Sequence, residues 1–157
     1  MEVKVLFKGV CLEIDGVKYH HHPNGGGLVA ETAKVTETAY IGPFAKVFGD
    51  AKVSGNAKVS GNAKVYDNAE VSGNAKVFGN ARVYDNAKVF GNAGVYGDAI
   101  VYDNAEVFGN AEVFGNAEVC ENAKVFDNAD VFGNVKVYGN AEVFTDVRVS
   151  SGLLSKR

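Results

Sequence analysis

Tryptophan is absent from the 157 residues, and methionine, proline and cysteine supply only one, two and two. Each scarcity excludes something. Cys11 and Cys120 are too few and too far apart for a disulfide framework, which fits a reducing, cytoplasmic compartment. No apolar run reaches the ~20 residues of a membrane span, and the opening MEVKVLFKGV lacks the shape of a signal peptide. No membrane partner is therefore expected. A formal net charge of −3 with 22% charged residues makes the whole molecule neither strongly basic nor strongly acidic. Nucleic acid is accordingly not expected as a partner. At 46% hydrophobic residues the chain is no disordered polar tail.

What is present is repetition: AKVSGN AKVSGN AKVYDN AEVSGN AKVFGN ARVYDN, continuing almost to the end. From Val29 every sixth residue through Val149 is Val, except Ile41, giving 21 aliphatic positions without a gap. Two residues earlier, from Ala33 to Val147, Ala fills 18 of 20 positions; Val135 and Val147 are the exceptions. Residues two apart share one side of a strand. Each hexad thus reads as a short strand with Ala and Val inward and a charged residue outward. The pair that follows, Gly55-Asn56 or Asp67-Asn68, tolerates positive φ and turns the corner. A helical period would smear Val around the circumference.

Three hexads close one coil. At a spacing of 18, Lys52, Glu70, Lys88, Glu106, Lys124 and Glu142 alternate in sign, as stacked neighbours should. The same spacing aligns Asp67, Asp85, Asp103 and Glu121 at a corner. It also aligns Phe48, Tyr66, Tyr84, Tyr102 and Tyr138, with Cys120 interrupting the series. The expected fold is all-β: a triangular parallel solenoid of about seven coils, some 34 Å long at ~4.8 Å per coil. Val and Ala fill it and leave no ligand cavity. Asn ladders are expected along the corners. The organisation expected is 1–27 as a β cap with a Gly-rich lead-in, 28–150 as the solenoid, and 151–157 as a C-terminal cap or tail. In the cap, strands Val3 to Phe7 and Val10 to Ile14 precede the turn Asp15-Gly16 and a third strand through Tyr19. Leu153 and Leu154 are expected to fold over the last coil, and the final three residues to be disordered.

An aliphatic residue followed four positions later by a small one, as in Val53 to Ala57 and Val83 to Ala87, resembles the hexapeptide-repeat, left-handed parallel β-helix proteins. The hand is implied by the resemblance alone, since parallel crossovers are normally right-handed. The A-x-V-x-G-N wording, with the lead-in from His22 to Val35, is similar to phage and bacterial repeat proteins without assigned activity. The superfamily's enzymes are acyltransferases and γ-type carbonic anhydrases, usually trimers, and they use His within or beside the coils. Here every His precedes the coils and no hexad is broken by a long loop. The resemblance therefore implies the fold and not the chemistry, and no cofactor or catalytic residue is expected.

Other candidates have plain readings. The run His20 to His22 lacks acidic or thiol companions at ligand spacing and reads as a solvated turn. The glycines Gly25 to Gly27 read as a bend, because no Lys-Ser/Thr or helix start follows them. Cys120 takes an outward position without a base beside it. The acidic column Asp67, Asp85, Asp103 and Glu121 could hold a cation or a basic protein, but Asp before Asn is also simply a good corner residue.

The aromatic columns are the interface candidates: Phe78, Tyr96, Phe114 and Phe132; Phe90, Phe108, Phe126 and Phe144; and Tyr102 in the third. Stacking along the axis stabilises a solenoid, and an exposed apolar patch marks an interface. Outward charge is mostly positive early, from Lys46 to Lys88, and mostly negative late, from Glu106 to Glu142. Two antiparallel copies would be charge-complementary. The expected function is a non-enzymatic scaffold that self-associates, as a homodimer or else a trimer, and binds an unidentified protein, as a phage-type inhibitor would. The alternative is an acyltransferase relative with a site between subunits.

Overall fold

The structure, a computed structural model, describes residues 3–6 and 11–156, with side chains from residue 11 onward. Phe7 and Val10, expected at strand ends, and Arg157 lie outside the described residues. All regular structure among the described residues is β. Strands β1 (Val3–Leu6), β2 (Cys11–Ile14) and β3 (Val17–His21) form an antiparallel meander. Its second turn places Asp15 and Gly16 at φ +51° and +80°, the conformation a two-residue hairpin favours. The meander does not lie across the core as a lid. Instead β3 pairs antiparallel with β4 (Leu28–Ala30), the first strand of the solenoid, and extends its sheet.

From Lys34 the chain winds through short two-residue strands, each paired in parallel with the strand eighteen residues away. Lys52 lies beside Glu70 and Lys64 beside Arg82. Three faces result. The first carries Lys46, Lys64, Arg82, Ile100, Glu118 and Lys136 outward. The second runs from Lys34 through Lys52, Glu70, Lys88, Glu106 and Lys124 to Glu142. The third carries Tyr40, Lys58, Lys76, Gly94, Glu112, Asp130 and Arg148. Between them, inward Ala and Val from Ala39 to Val137 are 0–1% exposed and form one continuous core. Each buried Val contributes about 1.5 kcal/mol, and stability accumulates coil by coil.

The corners explain the fifth and sixth letters of each hexad. Gly91 adopts φ +71°, and a Cβ there would lie 3.1 Å from the backbone of Gly109. Where Asp replaces Gly the backbone stays left-handed, with Asp85 at φ +56°. The next residue, Asn, stacks on itself as expected. Asn74, Asn92, Asn110 and Asn128 each donate an amide N–H to the side-chain oxygen one coil on, at 3.0–3.1 Å.

Both ends depart from the sequence reading. The lead-in is packed rather than solvated: His22 is 3% exposed and its backbone N–H donates to Gly27 O at 2.8 Å. The loop pairs with the first strand of the third face through Gly27 N–H to Ile41 O (2.9 Å) and Ile41 N–H to Asn24 O (3.0 Å). Glycine is required for this approach, since a Cβ on Gly25 would sit 2.2 Å from Ile41 O. At the other end the strand Asp130–Gly139 runs through a corner from the third face to the first. The terminal strand Arg148–Lys156 pairs along it, slipping by one residue between the partners of Val131 and Asn134. Ser155 and Lys156 are thereby ordered opposite Tyr138 and Gly139, not disordered. Leu154 falls opposite Val137 and extends the core, while Leu153 is 72% exposed.

Two substitutions test this packing. Val95→Ala removes buried methyls from the middle of the core and lowers unfolding stability by about 2 kcal/mol. Gly91→Ala at a left-handed corner lowers it by about 1–2 kcal/mol. Urea unfolding followed by circular dichroism reads both.

Candidate interaction surfaces

The prism holds no interior site, so any site must be assembled from outward columns. The first face bears three columns side by side: charges, then rings, then acids. Phe48, Tyr66, Tyr84 and Tyr102 stack with centroids 4.8–5.2 Å apart and planes within 6°. Cys120 breaks the ladder. The sequence reading put it outward, yet it is 1% exposed. Beside it Lys136 reaches back two coils, so that its Nζ donates to Tyr102 Oη at 3.1 Å and lies 5.8 Å over that ring.

The chemistry of this cluster is quiet. A hydrogen bond with Cys120, followed by burial, pushes the Tyr102 hydroxyl up to about 12. Burial likewise raises the Cys120 thiol. Contact with Tyr102 raises the Lys136 ammonium, which also pairs with Glu118 at 3.4 Å. A protonated thiol and a fully charged lysine are the reverse of an activated nucleophile and base.

The acidic column is a corner device. Asp85 and Asp103 accept the backbone N–H of the acid one coil on, at 3.4 and 3.0 Å, and Glu121 accepts Gly139 N–H at 3.0 Å. Asp67 begins the column at φ +56°. Asp85, Asp103 and Glu121 thereby tie their corner to the one a coil on. Among the described residues no three His, Cys, Asp or Glu side chains converge as a metal site.

The two remaining ring columns stack as the first does, Phe78–Tyr96–Phe114–Phe132 at 4.7–5.0 Å and Phe90–Phe108–Phe126–Phe144 at 4.9–5.2 Å. Face-to-face stacking covers the broad side of each ring, so most are half-buried and show only an edge. Phe78 and Phe144, each at a column end, are exposed at 38% and 46%. Sequence reasoning passed over the most exposed ring: Phe44, at 74%, in a corner column continued by Asn62 and Asn80. An aromatic in place of Asn in the hexad register was the available signal.

Charges are arranged differently from face to face. On the second face alternation gives pairing along the column: Lys52 Nζ lies 2.8 Å from Glu70 and Lys124 3.7 Å from Glu106. The hydrogen bond from Lys52 lowers the Glu70 carboxyl below its ordinary range. On the other two faces like charges stack on each other: Lys58 beside Lys76, and Lys46 beside Lys64 beside Arg82. Among the described residues none of these five cations has an ion-pair partner, whereas the late acids Glu118 and Asp130 pair with Lys136 and Arg148. The polarity read as early-positive and late-negative is thus a set of bare cations and partly neutralised acids.

The stacked tyrosines set an alkaline limit. Tyr96 is pushed up to about 12, mainly by burial and then by the hydrogen bond it donates to Glu112 at 2.8 Å; Tyr102 reaches about 12 as well. A raised folded value means stability that is complete below the ordinary value of 10.0 and lost as pH rises towards about 12. Titration at 295 nm should show these two hydroxyls ionising last, together with unfolding; ionisation of every tyrosine near pH 10 would contradict the packing.

A family model described as YdcK beta solenoid repeat matches residues 81–97, just short of one eighteen-residue coil. No curated protein and no solved structure matches the chain. The hexad period, the coil register and this match converge on one description: the chain is a β-solenoid repeat protein.

Proposed function

We propose that this solenoid is a non-enzymatic scaffold that acts through protein–protein contacts, first of all with a second copy of itself. The observation that carries the reading is the treatment of surface charge. The second face pairs Lys52 with Glu70 and Lys124 with Glu106 within the chain, while on the other two the early cations stack on one another and repel at one-coil spacing. An opposing surface relieves that repulsion. The solid Val and Ala interior offers a ligand nothing, and the coils carry no histidine to act as a base. This absence counts against the acyltransferase alternative as a matter of chemistry. The phage-type version, in which the further partner is a host protein, is supported by the resemblance of the repeat wording.

Sedimentation velocity from about 1 to about 100 µM should show a monomer giving way to a dimer. The association should weaken as salt rises from about 0.05 to about 0.5 M. A salt-insensitive monomer across that range overturns the reading. Calorimetry with acetyl-CoA should give no binding heat, and a stoichiometric isotherm would restore the acyltransferase alternative.

A further inference from the structure

The third face carries a pattern that neither other face shares. Along its centre run Lys58, Lys76, Gly94, Glu112 and Asp130, each beside the next in the β-ladder. Two cations stack, then a position without a side chain, then two acids stack. Within one chain this order is unfavourable on both sides of Gly94, because like charges are direct neighbours. Inverted about Gly94, the column becomes its own complement: acid falls on base at every charged position. Tyr40 and Arg148, at the two ends, also exchange places as a ring and a cation.

Gly94 itself is not demanded by the fold. A Cβ there would make only ordinary contact, 3.6 Å from the Tyr96 ring. Neither a left-handed φ nor a close backbone approach explains the glycine. Its neighbours repeat the symmetry. Tyr96 is flanked by Phe78 and Phe114 one coil away on either side, and Asp98 by Asn80 and Asn116.

We infer that the third face is a self-complementary docking surface on which a second copy of this chain lies antiparallel, about a twofold axis along the strand direction at the level of Gly94. The inference rests on the self-association proposed above. In that arrangement Lys58 of one copy faces Asp130 of the other, Lys76 faces Glu112, and at the centre each Gly94, buried beside its own Tyr96 ring, projects no side chain of its own into the seam. Glu112 already accepts Tyr96 Oη and Asp130 already pairs with Arg148, but each carboxylate has capacity for a second donor. Lys58 and Lys76 have no acid within the chain among the described residues.

The other faces fit less well. Inverting the first face about Ile100 sets Arg82 against Glu118 but Lys64 against Lys136, and lays its acidic corner on itself. The second face has charges that already pair internally. A face about 34 Å by about 16 Å buries on the order of 1,100 Å² in a pair, the low end for a specific interface.

Two charge-reversed chains provide the test. K58E/K76E makes the column wholly acidic and E112K/D130K makes it wholly basic. All four positions lie on the outer surface, and melting curves confirm that each variant folds. Each alone should associate at least ~10-fold more weakly than the unmodified chain, and an equimolar mixture should form a heterodimer at least as tight as the original dimer. G94K, for which the single chain has room, should also abolish pairing. Variants that dimerise like the unmodified chain, or a mixture that stays monomeric, overturn this face while self-association stands. An unmodified chain that is monomeric throughout overturns self-association, and this inference with it.

Discussion

Hydrogen bonds between coils hold each residue above its counterpart eighteen positions away, as Lys52 N–H to Ala69 O and Ser54 N–H to Val71 O do on the second face. Everything else in the molecule depends on that register. Inside, it stacks Val on Val and Ala on Ala, so the core has no variety and needs none. At the corners it turns Asn into a ladder and brings the Gly backbones so close that a Cβ would intrude. Outside, it converts a one-dimensional string of Lys, Glu, Tyr and Phe into straight columns. Side chains eighteen apart in sequence thus become nearest neighbours, and their sequence order becomes an electrostatic arrangement.

Much of this was legible beforehand for a physical reason. The inward Val and Ala repeat without a gap, and a period of six is incompatible with any helix. The charge alternation from Lys52 to Glu142 pointed to three hexads per coil, because at that spacing this column changes sign without a break. What the pattern could not show was the behaviour of side chains long enough to leave their own column. Lys136 reaches across two coils to Tyr102, a conformation no spacing rule contains. The ring columns were legible as stacks but not as half-buried ones, since stacking itself removes the faces that would have been exposed. The terminal slip that places Leu154 over Val137 depends on a deletion at Ser150, where the hexad wording had already decayed. The lead-in was misjudged at His22, which is buried in a loop that Gly27 and Asn24 hold to Ile41 by backbone hydrogen bonds.

Function has to be sought where columns differ, and they differ in how they treat charge. The second face pairs Lys52 with Glu70 and Lys124 with Glu106 within the chain. The first consumes its corner acids in hydrogen bonds and sets Lys136 over the Tyr102 ring. The third leaves two lysines and two acids segregated about a glycine, an order that is costly alone and favourable opposite its own inversion. The same eighteen-residue register that builds the prism thus supplies a face with twofold logic.

The most direct measurement is the distance between spin labels across two copies, in a chain whose Cys11 and Cys120 are replaced by serine and which carries one new cysteine. A label at the exposed corner position 98, beside the third face at the level of Gly94, should find its mate at that same level. A label at the exposed corner position 62, two coils earlier, should find its mate about 19 Å farther along the prism, four coils away. Equal distances for the two positions would mean that the prisms lie parallel, or meet through another face, and would contradict the account.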